Sequence, residues 1–145
     1  MVEVGVKAQI SKADAVFERV GANYDIAISA VDHEQIHREP SQNPCKQSTQ
    51  ANRKLTKTDR NGRFSFRTIV PSEYPGRTPH IHMKLWSEGN NFLTTQLYIH
   101  DHPQNKKDFL FQQMSLAEQR INSMKLIPAT DKNTAEFQTF VKIVV

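Results

Sequence analysis

The 145-residue chain contains a single cysteine, Cys45, so an internal disulfide is excluded. A chain without a disulfide framework suits a reducing compartment, and we expect a cytoplasmic protein. No run of about 18 apolar residues is present, so no membrane span is expected. The first residues, Met1 to Gly5, lack a basic segment followed by an apolar run, and no signal peptide is predicted.

The sequence also has little excess charge of one sign. Its net charge is +4, and its lysines and arginines are spread along the chain in clusters no longer than Lys106-Lys107. Nucleic-acid binding therefore has little support. The length suits one domain with a real core, and we predict a single domain over residues 1–145.

Alternation of apolar and polar residues is the main pattern along the chain, and this period of two is typical of β-strands. The run Asp59-Arg60-Asn61-Gly62 predicts a hairpin turn, because Asn-Gly readily adopts positive φ angles. Glu88-Gly89-Asn90-Asn91 is predicted to link two further strands. Strands are predicted over residues 2–10, 24–31, 53–57, 63–68, 80–86, 93–99 and 136–145. We therefore predict a mainly all-β protein, a β-sandwich with one or two short helices near the C-terminus.

The helical region is predicted downstream of the sixth strand. Asn105 can cap a short helix that runs to Met114. Ser115 and Glu118 have capping-box spacing for a second helix to about Leu126. The polar stretch from residue 38 to residue 50 has no periodicity, and we interpret it as a loop that forms a wall of the active site.

A pair of histidines, His80 and His82, is the main chemical signal. Side chains two apart on a strand share a face, so both imidazoles can bind one metal ion. The alternative is a pair of edge-strand histidines that bond to loops. His100 and His102 have the same spacing but stand in a turn-like context before Pro103, which favours a structural role.

Tyr74 and Arg77, which precede this pair in the chain, extend the hypothesis of a metal site. Tyr74 could supply a phenolate ligand, and because free phenol has a pKa of about 10, a strongly Lewis-acidic ion such as Fe(III) would be needed to hold it ionised. Arg77 could stabilise negative charge on a bound substrate, since guanidinium keeps its proton. The alternatives are a loop tyrosine packed on the core and a solvated loop arginine.

Three ordered blocks resemble the intradiol ring-cleavage dioxygenases, the non-haem iron family that includes catechol 1,2- and protocatechuate 3,4-dioxygenases. They run from Thr58 to Ile69 (TDRNGRFSFRTI), from Tyr74 to His82 (YPGRTPHIH) and from Leu93 to Ile99 (LTTQLYI). The resemblance implies a β-sandwich that holds Fe(III) through two tyrosines and two histidines. It implies that Tyr74, His80 and His82 are metal ligands. It also implies that the catalytic residues are Tyr74, Arg77 and Gln96, and that Arg77 and Gln96 face the substrate.

The fourth ligand departs from the family pattern. The second tyrosine of the family is expected within the segment from Asp32 to Pro40, and the alignment places His37 there. A neutral imidazole in place of a phenolate removes one negative charge, so Fe(II) becomes easier to reach, and Cu or Zn stay possible. The predicted metal ligands are therefore His37, Tyr74, His80 and His82.

The resemblance implies an enzyme that uses O2 to cleave or oxidise a catechol or a related phenolic or enolic substrate, such as a natural-product intermediate. Two alternatives stay open. One is a metal-dependent cyclase, isomerase or hydrolase on the same scaffold, and the other is a non-catalytic binding module. The expected partners are a small aromatic or enolic substrate and O2, with no nucleic acid and no membrane, and a homodimer is plausible from the family.

Overall fold

The computed structural model describes residues 3–11, 25–30, 53–130 and 135–144. Strands make up most of these residues, and the short helical segments follow the sixth strand. The strands are β1 (Glu3–Ser11), β2 (Asp25–Ala30), β3 (Arg53–Lys57), β4 (Arg63–Ile69), β5 (His80–Ser87), β6 (Asn90–Ile99), β7 (Ser123–Met124), β8 (Ile127–Pro128) and β9 (Phe137–Val144). A 3₁₀ turn (Pro103–Lys106), α1 (Phe109–Gln113) and α2 (Leu116–Ile121) lie between β6 and β7.

The described strands form two sheets that share one hydrophobic core. The first sheet has the order β4-β1-β9-β8 and the second has the order β3-β2-β5-β6-β7. Most neighbours are antiparallel, but the pairs β1–β9 and β6–β7 run parallel. The core contains side chains of both sheets, among them Val6, Ile28, Phe66, Met83 and Leu97. This arrangement confirms the predicted β-sandwich.

The predicted hairpin between β3 and β4 is wrong. Its turn does form, because the Asp59 carboxylate accepts hydrogen bonds from the backbone N–H groups of Asn61 and Arg63, and Gly62 has a φ of 69°. However, β3 pairs with β2 and β4 pairs with β1, so the turn carries the chain from one sheet to the other. Turn chemistry predicts where the chain reverses, whereas long-range pairing decides which strand each arm joins.

The link between β5 and β6 is a two-residue hairpin loop, shorter than the four-residue link predicted. Glu88 and Gly89 have φ angles of 51° and 79°, and Ser87 pairs directly with Asn90. Two consecutive positive φ angles match the right-handed twist of a tight hairpin. The ladder that begins at this loop shifts its register between Leu85 and Trp86, and the register beyond that point positions the candidate site.

The first predicted helix begins later than expected. Asp108, not Asn105, caps α1, and Asn105 lies buried within the 3₁₀ turn. The capping box of Ser115 and Glu118 forms as predicted at the start of α2. That helix ends at Ile121 rather than near Leu126, because Ser123 and Met124 pair with β6 as strand β7. No helix in the described ranges has the length and apolar character needed to cross a membrane.

Candidate metal centre

His80 and His82 lie on the outer face of the second sheet. The residues that alternate with them on β5, Ile81, Met83 and Leu85, are buried in the core. Because side chains alternate along a strand, the two histidines point away from that core. Across the ladder, His80 is opposite Tyr98 and His82 is opposite Gln96. Two adjacent strands therefore bring these four side chains to one face.

The two imidazoles converge through their Nε2 atoms, which are 3.2 Å apart. His80 Nδ1 lies 2.7 Å from the backbone carbonyl oxygen of Thr78. A carbonyl only accepts hydrogen bonds, so Nδ1 donates its proton and Nε2 of neutral His80 carries a lone pair. This is the tautomer that a metal ligand needs, and a backbone partner of this kind commonly orients such a ligand.

The surroundings of both histidines favour the neutral imidazole. Burial lowers the pKa of His80 to about 4. The charge of Arg77 and the nearby His82 ring act in the same direction, and the hydrogen bond to Thr78 and the charge of Asp108 oppose them. Burial, followed by the positive charge of Arg77, also lowers the pKa of His82. A neutral imidazole keeps the lone pair that binds a cation.

Tyr74 and Arg77 are the two ends of a tight turn that leads into β5. The Arg77 N–H donates to the Tyr74 carbonyl at 2.9 Å, and Gly76 takes the positive φ of 79° that the turn requires. The Tyr74 ring centroid is 5.7 Å from that of His80, and Arg77 Nη1 donates to the Tyr74 hydroxyl at 3.3 Å. The turn therefore places the phenol beside the histidine pair.

The guanidinium of Arg77 contacts side chains from β6 and from the region around the start of α1. Its Nη2 donates to Gln96 Oε1, and its Nε donates to Asp108 Oδ2 at 2.9 Å. The Phe109 ring lies against it, 5.6 Å from Cζ to centroid. Burial alone would lower the pKa of Arg77, but the hydrogen bond to Asp108 and nearby negative groups raise it above its usual value. The side chain is thus a fixed positive charge.

Two residues of this network were not predicted from the sequence. Tyr98 is buried and donates to Gln96 Oε1 at 2.6 Å, and burial is the first cause of its raised pKa. Its place two residues after Gln96, on the same strand face, is a signal that could have identified it. Asp108 was not predicted because its partners Arg77 and Thr78 are about 30 positions away, and no local pattern indicates such a contact.

The second histidine pair has structural surroundings. His100 is exposed and lies 2.9 Å from the Asp101 carboxylate. His102 Nδ1 accepts from the Gln104 N–H and so caps the 3₁₀ turn. These contacts agree with the structural role that we favoured for the pair.

The donor set that the structure describes fits a metal ion only in part. Among the described residues, no three His, Cys, Asp or Glu side chains cluster as a metal site would require, so a fuller set must include the oxygen of Tyr74. His37 and Cys45 lie outside the described residues. Imidazole–metal bonds are about 2.0–2.1 Å long, so two nitrogens on one ion at a near-right angle lie about 3 Å apart. The observed 3.2 Å between the two Nε2 atoms suits that arrangement.

Comparison with known proteins identifies the scaffold. No protein-family model and no curated protein matches the sequence. Solved structures do match. The dioxygenase domain of a dioxygenase–carbohydrate-binding fusion from Streptomyces sp. SirexAA-E is 26% identical, with a TM-score of 0.70 over 99% of this chain and 79% of that chain. An intradiol ring-cleavage dioxygenase from Tetranychus urticae is 17% identical, with a TM-score of 0.72 over 99% and 80%.

Larger relatives match over a smaller share of their length. The 3-chlorocatechol 1,2-dioxygenase of Rhodococcus opacus 1CP is 21% identical, with a TM-score of 0.67, and the match covers 99% of this chain and 59% of that one. Sequence identity is low throughout, but the two-sheet architecture is common to all three. The chain therefore has the fold of the intradiol ring-cleavage dioxygenases.

Proposed function

We propose that the protein is a non-haem iron dioxygenase that acts on a catechol or a related phenolic or enolic substrate. One observation carries the proposal: two converging imidazoles, whose neutral form burial favours, stand beside a tyrosine whose hydroxyl accepts a hydrogen bond from a partly buried arginine. Neutral nitrogen ligands, a phenol and a fixed positive charge are the groups that such chemistry needs.

In this proposal Tyr74, His80 and His82 hold the iron, and His37 is the fourth ligand predicted from the sequence. The iron, when bound, would bind the hydroxyl oxygens of the substrate and activate it toward O2. One phenolate instead of two in the ligand set leaves Fe(III) less favoured, so the oxidation state is part of what must be measured.

The protein's own residues provide binding and proton transfer. Arg77 keeps its charge and can bind an anionic substrate oxygen, while Gln96 and Asp108 fix the plane of its guanidinium. The Tyr74 oxygen accepts a hydrogen bond from Arg77, and in the phenolate form that an iron ligand requires it could take the proton of a phenolic substrate. Phe109 lies over Arg77 and forms an apolar wall that would pack against an aromatic ring.

The side chains around the histidine pair and the structural neighbours support a substrate class. These neighbours include 3-chlorocatechol, hydroxyquinol and catechol 1,2-dioxygenases. We therefore propose a small aromatic diol and O2 as the partners, and a homodimer and a cytoplasmic location stay predictions.

The first experiment determines the metal of the purified protein, its visible spectrum and its oxygen uptake with catechol and with hydroxyquinol. Bound iron, a broad visible band from tyrosinate on Fe(III), and oxygen uptake are the expected results. Stoichiometric zinc without a visible band would contradict the proposal and favour the non-oxidative enzyme. A protein that binds no metal would favour the binding module.

Substitution of the ligands tests the site itself. His80→Ala should lower bound iron at least tenfold, because it removes an oriented nitrogen ligand, whereas His100→Ala, a matched change at an exposed histidine, should leave it unchanged. Metal analysis and the visible spectrum measure both variants. Equal iron in His80→Ala and the parent protein would refute the ligand assignment.

The same measurements test His37. His37→Ala should lower bound iron, and His37→Tyr should restore the charge balance of the family and move the visible band. An unchanged spectrum in His37→Tyr would mean that this segment is aligned incorrectly.

A further inference from the structure

Asp108 is a buried carboxylate that joins α1 to the turn before β5. Its side chain has no exposed surface and accepts four hydrogen bonds. Oδ1 accepts from the backbone N–H groups of Leu110 and Phe111, each at 3.0 Å. Oδ2 accepts from Arg77 Nε at 2.9 Å and from the Thr78 N–H at 2.8 Å. One oxygen therefore caps α1, and the other binds the segment that leads into β5.

The Oδ2 contacts constrain Arg77. A guanidinium is planar, so a partner on Nε and a second partner on Nη2 together fix both the position and the rotation of its plane. Asp108 supplies the first partner and Gln96 the second. Nη1 is then directed toward the Tyr74 hydroxyl.

The same carboxylate acts on the histidine pair through Thr78. Its N–H donates to Asp108, and its carbonyl accepts from His80 Nδ1 at 2.7 Å. Oδ1 meanwhile caps the helix that begins with Phe109, whose ring lies on Arg77. One buried charge thus fixes the arginine, the backbone that orients His80, and the aromatic wall.

We propose that Asp108 is a positioning residue that orients Arg77 toward the substrate, an inference that rests on the proposed function. Misplacement of a substrate-binding cation by about 1 Å can cost about 100-fold in rate. Loss of the Asp108–Arg77 hydrogen bond should therefore lower kcat/KM with catechol or hydroxyquinol by about 10- to 100-fold per bound iron.

Asp108→Asn removes both Oδ2 contacts, to Arg77 and to Thr78, and expressing activity per bound iron separates the effect on Arg77 from an effect on the His80 ligand. The amide oxygen can still cap α1, but the NH2 group in place of Oδ2 cannot accept from Arg77 or Thr78. Asp59→Asn is the matched control, because Asp59 is exposed and accepts its two turn hydrogen bonds through one oxygen that an asparagine keeps. If Asp108→Asn does not fold, Asp108→Ser retains a strong helix cap without an arm toward Arg77.

The Arg77 Nε–H resonance provides a readout that needs no activity. In the unmodified protein this proton should exchange with water much more slowly than that of free arginine, and in Asp108→Asn the protection should disappear. An Nε–H that exchanges as fast as free arginine in the unmodified protein would overturn the proposal. Protection that persists in Asp108→Asn, or kcat/KM equal to that of Asp59→Asn, would also overturn it.

Failure of the proposed function gives a different result. A protein without oxygen uptake on either diol would refute the dioxygenase assignment, whereas the Nε–H measurement would still decide whether Asp108 fixes Arg77.

Discussion

At the scale of single residues, the site contains two kinds of titratable group. Its histidines are favoured in the neutral form, and Arg77 and Asp108 are favoured in the charged form. Burial keeps His80 and His82 neutral and able to bind a cation, with Arg77 acting in the same direction. Asp108 and Arg77 are also shielded from water, but each stabilises the charge of the other. The site therefore combines neutral ligands with a fixed ion pair a few ångströms away.

Asp108 should make stability depend on acid pH. Burial raises the pKa of its carboxyl, but hydrogen bonds from Phe111, Thr78 and Arg77 outweigh burial, so the pKa is lower than usual. A carboxyl with a lowered native pKa stabilises the fold above its unfolded pKa of about 3.9, and this contribution is lost as the pH falls through the native value.

Urea unfolding of the parent protein and of Asp108→Asn measures this contribution. At pH 7 the variant should be about 3 kcal/mol less stable, because Arg77 loses its buried partner. The difference should shrink steadily below pH 4. A difference that stays constant from pH 7 to pH 2.5 would show that ionisation of Asp108 does not contribute.

At the scale of elements, the site depends on the register in which β5 and β6 pair. The β5–β6 ladder places Gln96 and Tyr98 opposite the two histidines, and a slip by one residue would turn them into the core. Glu88 and Gly89 form the loop that begins this ladder, and an irregularity between Leu85 and Trp86 shifts the register by one residue before it reaches the site. The loop and this irregularity together therefore set the register at the site.

Glu88→Asn should stabilise this loop. Glu88 has a φ of 51°, a conformation that is costly for most L-residues and less so for asparagine, and Asn-Gly is a preferred pair for a two-residue hairpin. We expect a gain of about 0.5–1 kcal/mol in the free energy of unfolding, measured by urea denaturation.

Gly89→Ala provides the opposite control for this prediction. A Cβ added at this position would meet open space, so the φ of 79° is the main obstacle, and the variant should lose about 1–2 kcal/mol of unfolding free energy. Equal stability of both variants would mean that the loop conformation does not limit the fold.

At the scale of the whole molecule, the site and the core occupy opposite faces of the second sheet. The histidines lie on the outer face, while Ile81, Met83 and Leu85 on the same strand pack toward the first sheet. Substitutions in the core should therefore change stability with little effect on the chemistry of the site.

Thr139→Val tests the core in this way. Thr139 is only 4% exposed, and its hydroxyl has no hydrogen-bond partner in the part of the chain that the structure describes. Valine has nearly the same shape without the buried polar atom, so stability should rise by about 1 kcal/mol. Thermal and urea unfolding, with bound iron as a control, measure the effect.

Thr95→Val is the contrasting variant. Thr95 donates to Asn122 Oδ1 at 3.0 Å, and loss of this hydrogen bond should lower stability by about 1 kcal/mol. If both threonine variants were destabilised equally, the hydroxyl of Thr139 would be satisfied in solution.

The sequence by itself determined the seven longer strands and which of their faces is apolar, because a period of two is a local property of the chain, whereas the two-residue strands β7 and β8 are too short to show that period. It also indicated His80, His82, Tyr74 and Arg77 as one chemical group, since they lie within nine residues. The capping box of α2 was likewise readable, because its two partners are three residues apart.

Only the tertiary structure decided how these elements pair. The turn after β3 was visible in the sequence, but the separation of β3 and β4 into different sheets depends on β1 and β2, which are distant in the chain. The ion pair between Arg77 and Asp108 joins residues 31 positions apart. Asp108 becomes buried, and bonds to Arg77 and Thr78, only when the second sheet and α1 pack together. Such contacts depend on spatial proximity that no local pattern encodes.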